Sequence, residues 1–423
     1  MNNTLETRQA EHAVPTPSVL NTFLKGVRIL DLSQYIPGPM ATLMLSDMGA
    51  EVLKVEPPHG DGMQDLGPRD EDGRPVFYNA LNAGKAVCRL NLKDNSDRSQ
   101  FLDLLEEADV VIEGFRSGVM ERLGVDYPVL RGRNPGIILC SVSGYGLGTS
   151  RSAEAGHDVN YLAMSGVLHR NGRDLPAYFD PPISDVGGAL FAAIAILGAL
   201  NRRLRTGEGC HIDMALADTI MPMQLMQVAD FGANGTVPER GTTYLNGGAA
   251  YYQIYATKDD QHVALGSVEP KFWTAFCEAS DRTDWIARIS DPLPQEALIN
   301  ELEAYFGDLS ASEVKSRYKG VDCCLSMVKD LHAAIADRQV SERQLVRHGP
   351  GGDLQSLFPA WIDGSPSGLR QTGTHESGPV WACPQKSVWR ADWMGLRFAN
   401  SLRRTELMSL YKRITKFLTG APS

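Results

Sequence analysis

Paired strand and helix patterns recur through the first third of this chain, and they limit its fold more than any other feature. Residues 27–32 form an apolar run that predicts a strand, residues 40–48 predict a helix, and the alternating residues 51–55 predict a second strand. The same order returns up to about residue 145. Successive units of this kind predict a Rossmann-like parallel sheet with helices on both faces, which is an α/β fold. Ligands of such sheets bind at the carboxyl ends of the strands.

The rest of the chain predicts one long buried helix and then a different pattern of secondary structure. The segment DVGGALFAAIAILGALNRRLR, residues 185–205, is apolar throughout, with Asp185 available as the N-cap and TGEG as the stop. The following HIDMAL alternates like a strand. Between about residues 245 and 350, a β-hairpin turned at Lys258–Gln261 and several amphipathic helices predict a second, smaller α+β domain.

Charge and cysteine usage exclude several classes of protein. The formal net charge of −10 supplies no basic field for phosphate contacts, so we expect no nucleic-acid partner. No window is an uninterrupted apolar run of membrane-spanning length, so we expect no membrane partner. The seven cysteines show no zinc-like or disulfide-scaffold spacing, which favours a reducing, cytoplasmic location. His211 and Asp213 lack a third ligand nearby in sequence, so we expect no metal.

Three side chains are candidates for acid–base or nucleophilic chemistry. Asp185 opens the long helix, and the glycine pair at 187–188 would let a ligand approach the backbone donors there. His157, in AGHDVNY, suits proton transfer in both directions because imidazole titrates near neutral pH. Glu269 lies between a predicted strand and a predicted helix. Each has a simpler interpretation, since an aspartate or glutamate at a helix end is often only a cap and a lone histidine often only packs.

Several stretches together resemble the class III CoA-transferases, the family that also contains carnitine CoA-transferase, formyl-CoA transferase and alpha-methylacyl-CoA racemase. The matching segments span most of residues 26–335 and are GVRILDLSQYIPGPMATLMLSDMGAEVLKVEPP, NAGKAVCRLNLK, IEGFRSGVMERLGV, SDVGGALFAAIAILGALNRRLRTGEG and GVDCCLSMVKDLHAAI. The first and fourth segments are highly specific. The resemblance implies an acyl-CoA thioester substrate, with coenzyme A as part of that substrate and no permanently bound cofactor.

The resemblance also implies roles for the candidate residues. In the transferases, the aspartate matching Asp185 is the nucleophile that forms an acyl anhydride and then an aspartyl-CoA thioester. In the racemase branch, which GHDVNYLAMSGVL and GSVEP resemble, the same carboxylate is a base opposite the histidine matching His157, and the glutamate matching Glu269 pairs with that histidine. Two acid–base groups must flank a carbon that is inverted. The backbone N–H of Asp158, at a helix start, is a candidate donor to the enolate oxygen.

The closest fit is therefore a 2-methylacyl-CoA racemase or epimerase, with a CoA-transferase as the alternative. One position departs from the racemase pattern, because Pro181 stands where racemases usually carry an asparagine that orients the catalytic aspartate. Cations should meet the anionic phosphates of coenzyme A, and Lys54, Lys85 and Arg116 are the candidates, each also explicable as a solvated surface charge.

The family fold implies a homodimer of two interlocked chains, in which Glu269 would approach His157 from the partner subunit. Its large domain is built from both chain ends. On this basis we predict the first part of the large CoA-binding domain at 23–215, a small domain with linkers at 216–349, and a C-terminal part at 350–423 that returns to the large domain. The polar, proline-bearing composition of residues 1–22 predicts a flexible arm. Residues 391–418 predict a basic amphipathic helix.

Overall fold

The computed structural model describes residues 18–378 and residue 381. Residues 1–17 and the helix predicted at 391–418 lie outside this range. The strands are β1 (Arg28–Asp31), β2 (Glu51–Glu56), β3 (Ala86–Arg89), β4 (Val110–Glu113), β5 (Ile138–Ser143), β6 (Cys210–Ala215), β7 (Tyr252–Ala256), β8 (His262–Gly266), β9 (Leu325–Met327), β10 (Val346–His348), β11 (Leu354–Ser356) and β12 (His375–Glu376).

Helices connect most of these strands. The α-helices are α1 (Pro37–Asp47), α2 (Val76–Leu81), α3 (Asn95–Glu107), α4 (Val119–Leu123), α5 (Tyr127–Arg133), α6 (Asp158–Met164), α7 (Val167–Arg170), α8 (Ile183–Thr206), α9 (Ile220–Met223), α10 (Leu225–Asn234), α11 (Pro270–Ala279), α12 (Glu296–Gly307), α13 (Ala311–Arg317), α14 (Leu331–Ile335) and α15 (Arg338–Glu342). Short 3-10 helices span Val19–Thr22, Gly62–Asp65, Leu216–Asp218 and Thr283–Ser290.

Seven strands form one parallel sheet in the order β12-β3-β2-β1-β4-β5-β6. The chain runs outward from β1 to β3 on one side and from β4 to β6 on the other, so the strand order reverses between β1 and β4. A crevice opens at the carboxyl ends of the strands at such a reversal. The predicted α/β fold with a Rossmann-like parallel sheet is confirmed, and β12 adds a C-terminal strand beside β3.

Apolar cores cover both faces of this sheet. Successive residues of β1 point to opposite faces, so Ile29 lies in the core shared with α1 and α8, while Leu30 lies in the core shared with α3. Within the second core, Phe101 of α3 packs over the sheet and is fully buried. The near-continuous apolar strands of the sequence follow from this two-sided burial.

The long helix α8 begins earlier than predicted. Pro182 is its N-cap residue, so Asp185 lies inside the first turn and is not the cap. Gly207, in the left-handed conformation with φ 76°, ends the helix at the predicted stop. By length and composition α8 could cross a membrane, but half of its most apolar window is buried inside the chain, against α1 and the sheet.

A third apolar core lies in the later part of the chain. The strands β7, β8 and β9 form an antiparallel sheet, and the hairpin predicted at Lys258–Gln261 is confirmed because β7 pairs with β8 across that turn. Helices α11 and α12 cover the sheet with stacked aromatic rings, among them Phe276 and Phe306, whose centroids lie 6.0 Å apart. The predicted domain boundaries stay a prediction.

Candidate active site

His157 stands at the start of helix α6. It is the N-cap residue, with an extended backbone at φ −126° and ψ 174°, and its side chain is exposed. The His157 N–H donates to Oδ1 of Asn160 at 3.0 Å, which fixes the histidine backbone on the helix. The backbone of His157 is therefore fixed at the helix start while its side chain remains accessible.

The residue before this histidine is a glycine for a packing reason. A Cβ atom at Gly156 would lie 2.8 Å from the Tyr145 hydroxyl and 2.8 Å from a ring carbon of Tyr161. The Tyr161 hydroxyl donates to the Gly156 carbonyl at 2.6 Å, and the two tyrosine rings meet edge to face with centroids 5.2 Å apart. This ring pair holds the backbone that leads into His157, a support that the sequence patterns did not reveal.

Asp158 connects the histidine helix to the aspartate helix. Its Oδ1 accepts hydrogen bonds from the backbone N–H of Ser184 at 2.7 Å and from that of Asp185 at 3.2 Å. Both amides belong to the first turn of α8, where backbone donors lack partners inside their own helix. The carboxylate of Asp158 thus brings His157 and Asp185 to neighbouring positions.

The environment of Asp185 changes its acidity. Partial burial and, to a smaller extent, the negative charge of Asp158 raise the pKa of this carboxyl from 3.8 to about 6, and nearby His157 opposes the rise. Asp185 is thereby brought into the range in which a group can both accept and donate a proton near neutral pH.

The glycine pair after Asp185 does not have the predicted role. A Cβ atom at Gly187 would lie 2.5 Å from Cε of Met223, and one at Gly188 would lie 2.2 Å from Cδ2 of Leu216. Both glycines are buried. They allow α8 to pack closely on the chain after β6, and they open no path to a ligand. The prediction that a ligand approaches the backbone there is wrong.

Glu269 lies between β8 and α11 and is the exposed N-cap residue of α11. Desolvation raises the pKa of the Cys324 thiol, and the charges of Asp322 and Glu269 add to that rise. Within residues 18–378, no hydrogen bond or salt bridge joins Glu269 to His157 of the same chain. Its approach to His157 from the partner subunit stays a prediction.

Lys54 and Lys85 do not lie where a nucleotide could reach them. The Lys54 side chain is 1% exposed. Its ammonium group pairs with Asp61 at 2.8 Å and donates to the Ser33 carbonyl at 2.8 Å. The Lys85 side chain is fully buried and pairs with Asp31 at 3.2 Å. Both ammonium groups are buried and paired with carboxylates of the same chain, which contradicts the prediction that these lysines bind phosphate.

The two lysines instead organise the carboxyl end of β1. Although burial alone raises the pKa of Asp31, the ammonium groups of Lys85 and Lys54 hold it at about 2. Its carboxylate also accepts from the Ser33 N–H at 3.0 Å and from the Thr42 hydroxyl at 2.6 Å. The buried charges therefore fix the loop between β1 and α1 at the point where the strand order reverses.

Arg116 is the predicted cation that stays accessible. It is exposed on the loop that follows β4. A Cβ atom at Gly114 of this loop would lie 3.9 Å from Cβ of Ser33, so the loops after β1 and β4 adjoin at the reversal point. Among residues 18–378, no salt bridge involves the Arg116 guanidinium.

Within the described residues, no group of three His, Cys, Asp or Glu side chains could hold a metal ion. His211 lies on β6, as the alternation predicted, and its Nε2 is 2.9 Å from the Ser141 hydroxyl. Asp213 accepts from the Leu147 N–H at 2.9 Å. Both side chains therefore have partners other than a metal.

Comparison with known sequences identifies the family of this chain. The sequence model of CoA-transferase family III matches residues 24–373. The succinyl-CoA:mesaconate CoA-transferase of Haloarcula marismortui is 35% identical over 82% of this chain and 90% of its own length. The alpha-methylacyl-CoA racemase of Homo sapiens is 31% identical over 76% of this chain and 81% of its own length.

Comparison with solved structures agrees with the fold. A CAIB/BAIF family protein from Brucella suis superposes with a TM-score of 0.73 at 27% identity, covering 84% of this chain and 97% of that one. Relatives of this chain include both racemases and CoA-transferases, all acting on CoA thioesters by their names. The chain is an enzyme of CoA-transferase family III.

Proposed function

We propose that this enzyme is a 2-methylacyl-CoA racemase or epimerase that inverts the carbon next to the thioester by transfer of a proton between two bases. One observation carries the proposal: His157 and Asp185 stand at the starts of two helices that Asp158 ties together, and the pKa of Asp185 is raised to about 6. A nucleophile would instead profit from a carboxyl that is fully ionised across the neutral range.

The two directions of the reaction use the pair in opposite states. For one epimer, the ionised Asp185 takes the C2 proton and the imidazolium of His157 delivers a proton to the other face. For the second epimer, neutral His157 takes the proton and the protonated Asp185 delivers one. Each positioned group contributes on the order of 10²–10⁴-fold to the rate. With its pKa raised to about 6, Asp185 can hold both states in useful amounts near neutral pH.

The intermediate between the two transfers is an enolate of the thioester. Its oxygen needs hydrogen-bond donors, and the N–H of Asp158 is available in principle because the first residue of a helix has no carbonyl partner within that helix. Arg116, exposed beside the strand-order reversal, is the proposed contact for the phosphates of coenzyme A.

The enzyme is proposed to act as an interlocked homodimer. Helix α10 has no buried residue in the single chain, although its sequence LMQVADFGAN is largely apolar. Phe231 on α10 is 55% exposed and Ile194 on α8 is 62% exposed. Apolar surfaces of this kind support coverage by a second copy. In this dimer Glu269 would reach His157 across the interface and stabilise its charged form.

Transfer of CoA between carboxylic acids is the second candidate function. The similarity to the Haloarcula marismortui transferase, which extends over most of both chains, favours it. Pro181 favours it too, because it replaces the asparagine expected of a racemase. In this reaction Asp185 would attack the thioester carbonyl and release CoA as a thiolate, which would attack the aspartyl carbonyl of the resulting anhydride, release the first acid and form an aspartyl-CoA thioester. The acceptor carboxylate would attack that thioester and release CoA, and CoA would then take the acyl group from the second anhydride and free Asp185.

Incubation in D2O separates the two reactions. The purified enzyme is mixed with a 2-methylacyl-CoA and no acceptor acid, and C2 deuteration is followed by mass spectrometry. A racemase incorporates deuterium and converts one epimer to the other. A transferase gives no deuterium and moves CoA only when a second carboxylic acid is added, an outcome that would contradict the proposal. His157→Ala should severely reduce racemisation but only mildly reduce CoA transfer.

A further inference from the structure

We infer that the side chain of Asp158 is a positioning group, whose carboxylate holds the first turn of α8 against the start of α6, sets how His157 and Asp185 face the substrate, and keeps a negative charge beside Asp185. The inference uses the proposed function only in taking Asp185 as the working carboxylate, which holds for racemisation and for CoA transfer alike. It assigns a role to the carboxylate of Asp158 that is separate from the role proposed for its backbone N–H.

The first step is the choice of partners. An aspartate at a helix start usually caps its own helix, as Asp94 does when its Oδ1 accepts from the N–H of Ser96 at 2.8 Å and of Asp97 at 3.3 Å. Asp158 accepts at nearly the same distances, 2.7 and 3.2 Å, but from Ser184 and Asp185, which lie 26 and 27 residues further along the chain. The carboxylate of Asp158 on α6 therefore caps α8 and links the two helices.

The second step is that α8 has no local cap to replace this one. Its N-cap residue is Pro182, and the proline side chain carries no hydrogen-bonding atom. The amides of Ser184 and Asp185 would otherwise depend on water. Asp158 satisfies both and is joined by one peptide bond to His157. The catalytic histidine and the catalytic aspartate are thus connected through a single carboxylate.

The third step is electrostatic. Asp158 places a negative charge beside the partly buried Asp185, and this charge adds to desolvation in raising the pKa of Asp185. Removing the charge while keeping the acceptor atom should separate the two roles. Asp158→Asn does so, because an asparagine Oδ1 can still accept the two backbone hydrogen bonds. Asp158→Ala removes the charge and the acceptor together.

Labelling of carboxyl groups tests the inference without any turnover. The full-length wild type, Asp158→Asn and Asp158→Ala are treated with a carbodiimide and glycine ethyl ester between pH 4 and 8, and labelling of the peptide containing Asp185 is followed by mass spectrometry. Asp94→Asn and Asp94→Ala are the matched controls, because Asp94 makes the same pair of hydrogen bonds on α3, away from the site. The pH dependence of kcat is measured in parallel with whichever thioester reaction the wild type catalyses.

For Asp158→Asn we expect the labelling midpoint of Asp185 to move to lower pH, and the acidic limb of kcat to move with it. For Asp158→Ala we expect an additional loss of at least tenfold in kcat that no pH restores. Neither Asp94 variant should change either quantity.

An unchanged labelling midpoint in Asp158→Asn would overturn the inference, and so would an Asp158→Ala enzyme that behaves like Asp94→Ala. Should Asp158→Ala fail to fold, the midpoint in Asp158→Asn decides alone. A shifted midpoint in an enzyme without racemase activity would leave the inference standing while the proposed function fails.

Discussion

At the scale of single residues, the raised pKa of Asp185 has a cost in stability. Because the folded-state pKa of about 6 lies above the ordinary 3.8, the folded protein binds this proton more tightly than the unfolded chain does. The stabilisation that comes from this tighter proton binding is fully present below pH 3.8 and is lost as the pH rises through about 6. Asp185→Asn should therefore raise the free energy of unfolding at pH 8 by about 1–2 kcal/mol, after allowance for partial exposure, and not at pH 4.

Urea unfolding at both pH values checks this prediction. Asp218→Asn is the control, because this carboxylate is exposed on the nearby 3-10 helix and its neutralisation should change the stability little at either pH. Equal stabilities of wild type and Asp185→Asn at pH 8 would contradict the environment assigned to Asp185.

The buried lysines give a second prediction at this scale. Lys85→Ala leaves the buried carboxylate of Asp31 without its ion-pair partner, so we expect a loss of about 3–5 kcal/mol in the free energy of unfolding. Arg116→Ala should leave stability unchanged and should weaken the binding of acyl-CoA. Denaturant unfolding and KM for the thioester measure the two effects. A Lys85→Ala protein of normal stability but impaired CoA binding would restore the original prediction for this lysine.

These two cases show what residue patterns can predict. The sequence suggested that cations lie near the first strands, and Lys54 does lie within β2 and Lys85 directly before β3, but a pattern of charges carries no information on burial. Arg116 differs from the two lysines because it is exposed on the loop after β4. The identity of His157 and Asp185 as candidates followed from motif and residue chemistry, whereas the hydrogen bonds of Asp158 join parts of the chain 26 and 27 residues apart and could not be predicted from local patterns.

At the scale of elements, the strands and the α/β alternation were predictable because burial on both faces leaves near-continuous apolar runs. The ends of α8 were harder to predict from the sequence. A glycine stop is a strong local signal, and Gly207 ends the helix as expected. An aspartate before an apolar run is ambiguous, because Asp185 is acceptable both as a cap and in the first turn, and only the tertiary bonds to Asp158 decide.

Two helical glycines offer a test of the packing of α8. A methyl group at Gly188 would meet Leu216 at 2.2 Å, whereas nothing lies within 4 Å of one at the exposed Gly132 on α5. Gly188→Ala should cost about 1–3 kcal/mol through overpacking. Gly132→Ala should stabilise the protein by roughly 0.5–1 kcal/mol, because alanine is the better helix former. Thermal and denaturant unfolding compare the two, and a stabilising Gly188→Ala would contradict the close packing of α8 on the chain after β6.

At the scale of the whole molecule, the central prediction is a site shared between two chains. The unpacked helix α10 and the exposed face of α8 predict a dimer, with twice the 46.2 kDa mass of the chain in light scattering. Co-expression of a His157→Ala chain with a Glu269→Ala chain tests the shared site. If Glu269 serves the partner's histidine, each hybrid dimer contains one intact site, and activity exceeds that of either parent variant. Hybrids no more active than their parents would place Glu269 elsewhere.

The most direct test of the two-base account is the exchange of each epimer in the single-base variants. His157→Ala and Asp185→Ala are incubated separately with the (2R)- and (2S)-methylacyl-CoA in D2O, and the initial deuteration at C2 is measured before inversion. We predict complementary losses: each variant still exchanges the epimer whose C2 proton faces the remaining base and fails with the other. Equal loss of both epimers in both variants, or unchanged exchange in either one, would contradict the account.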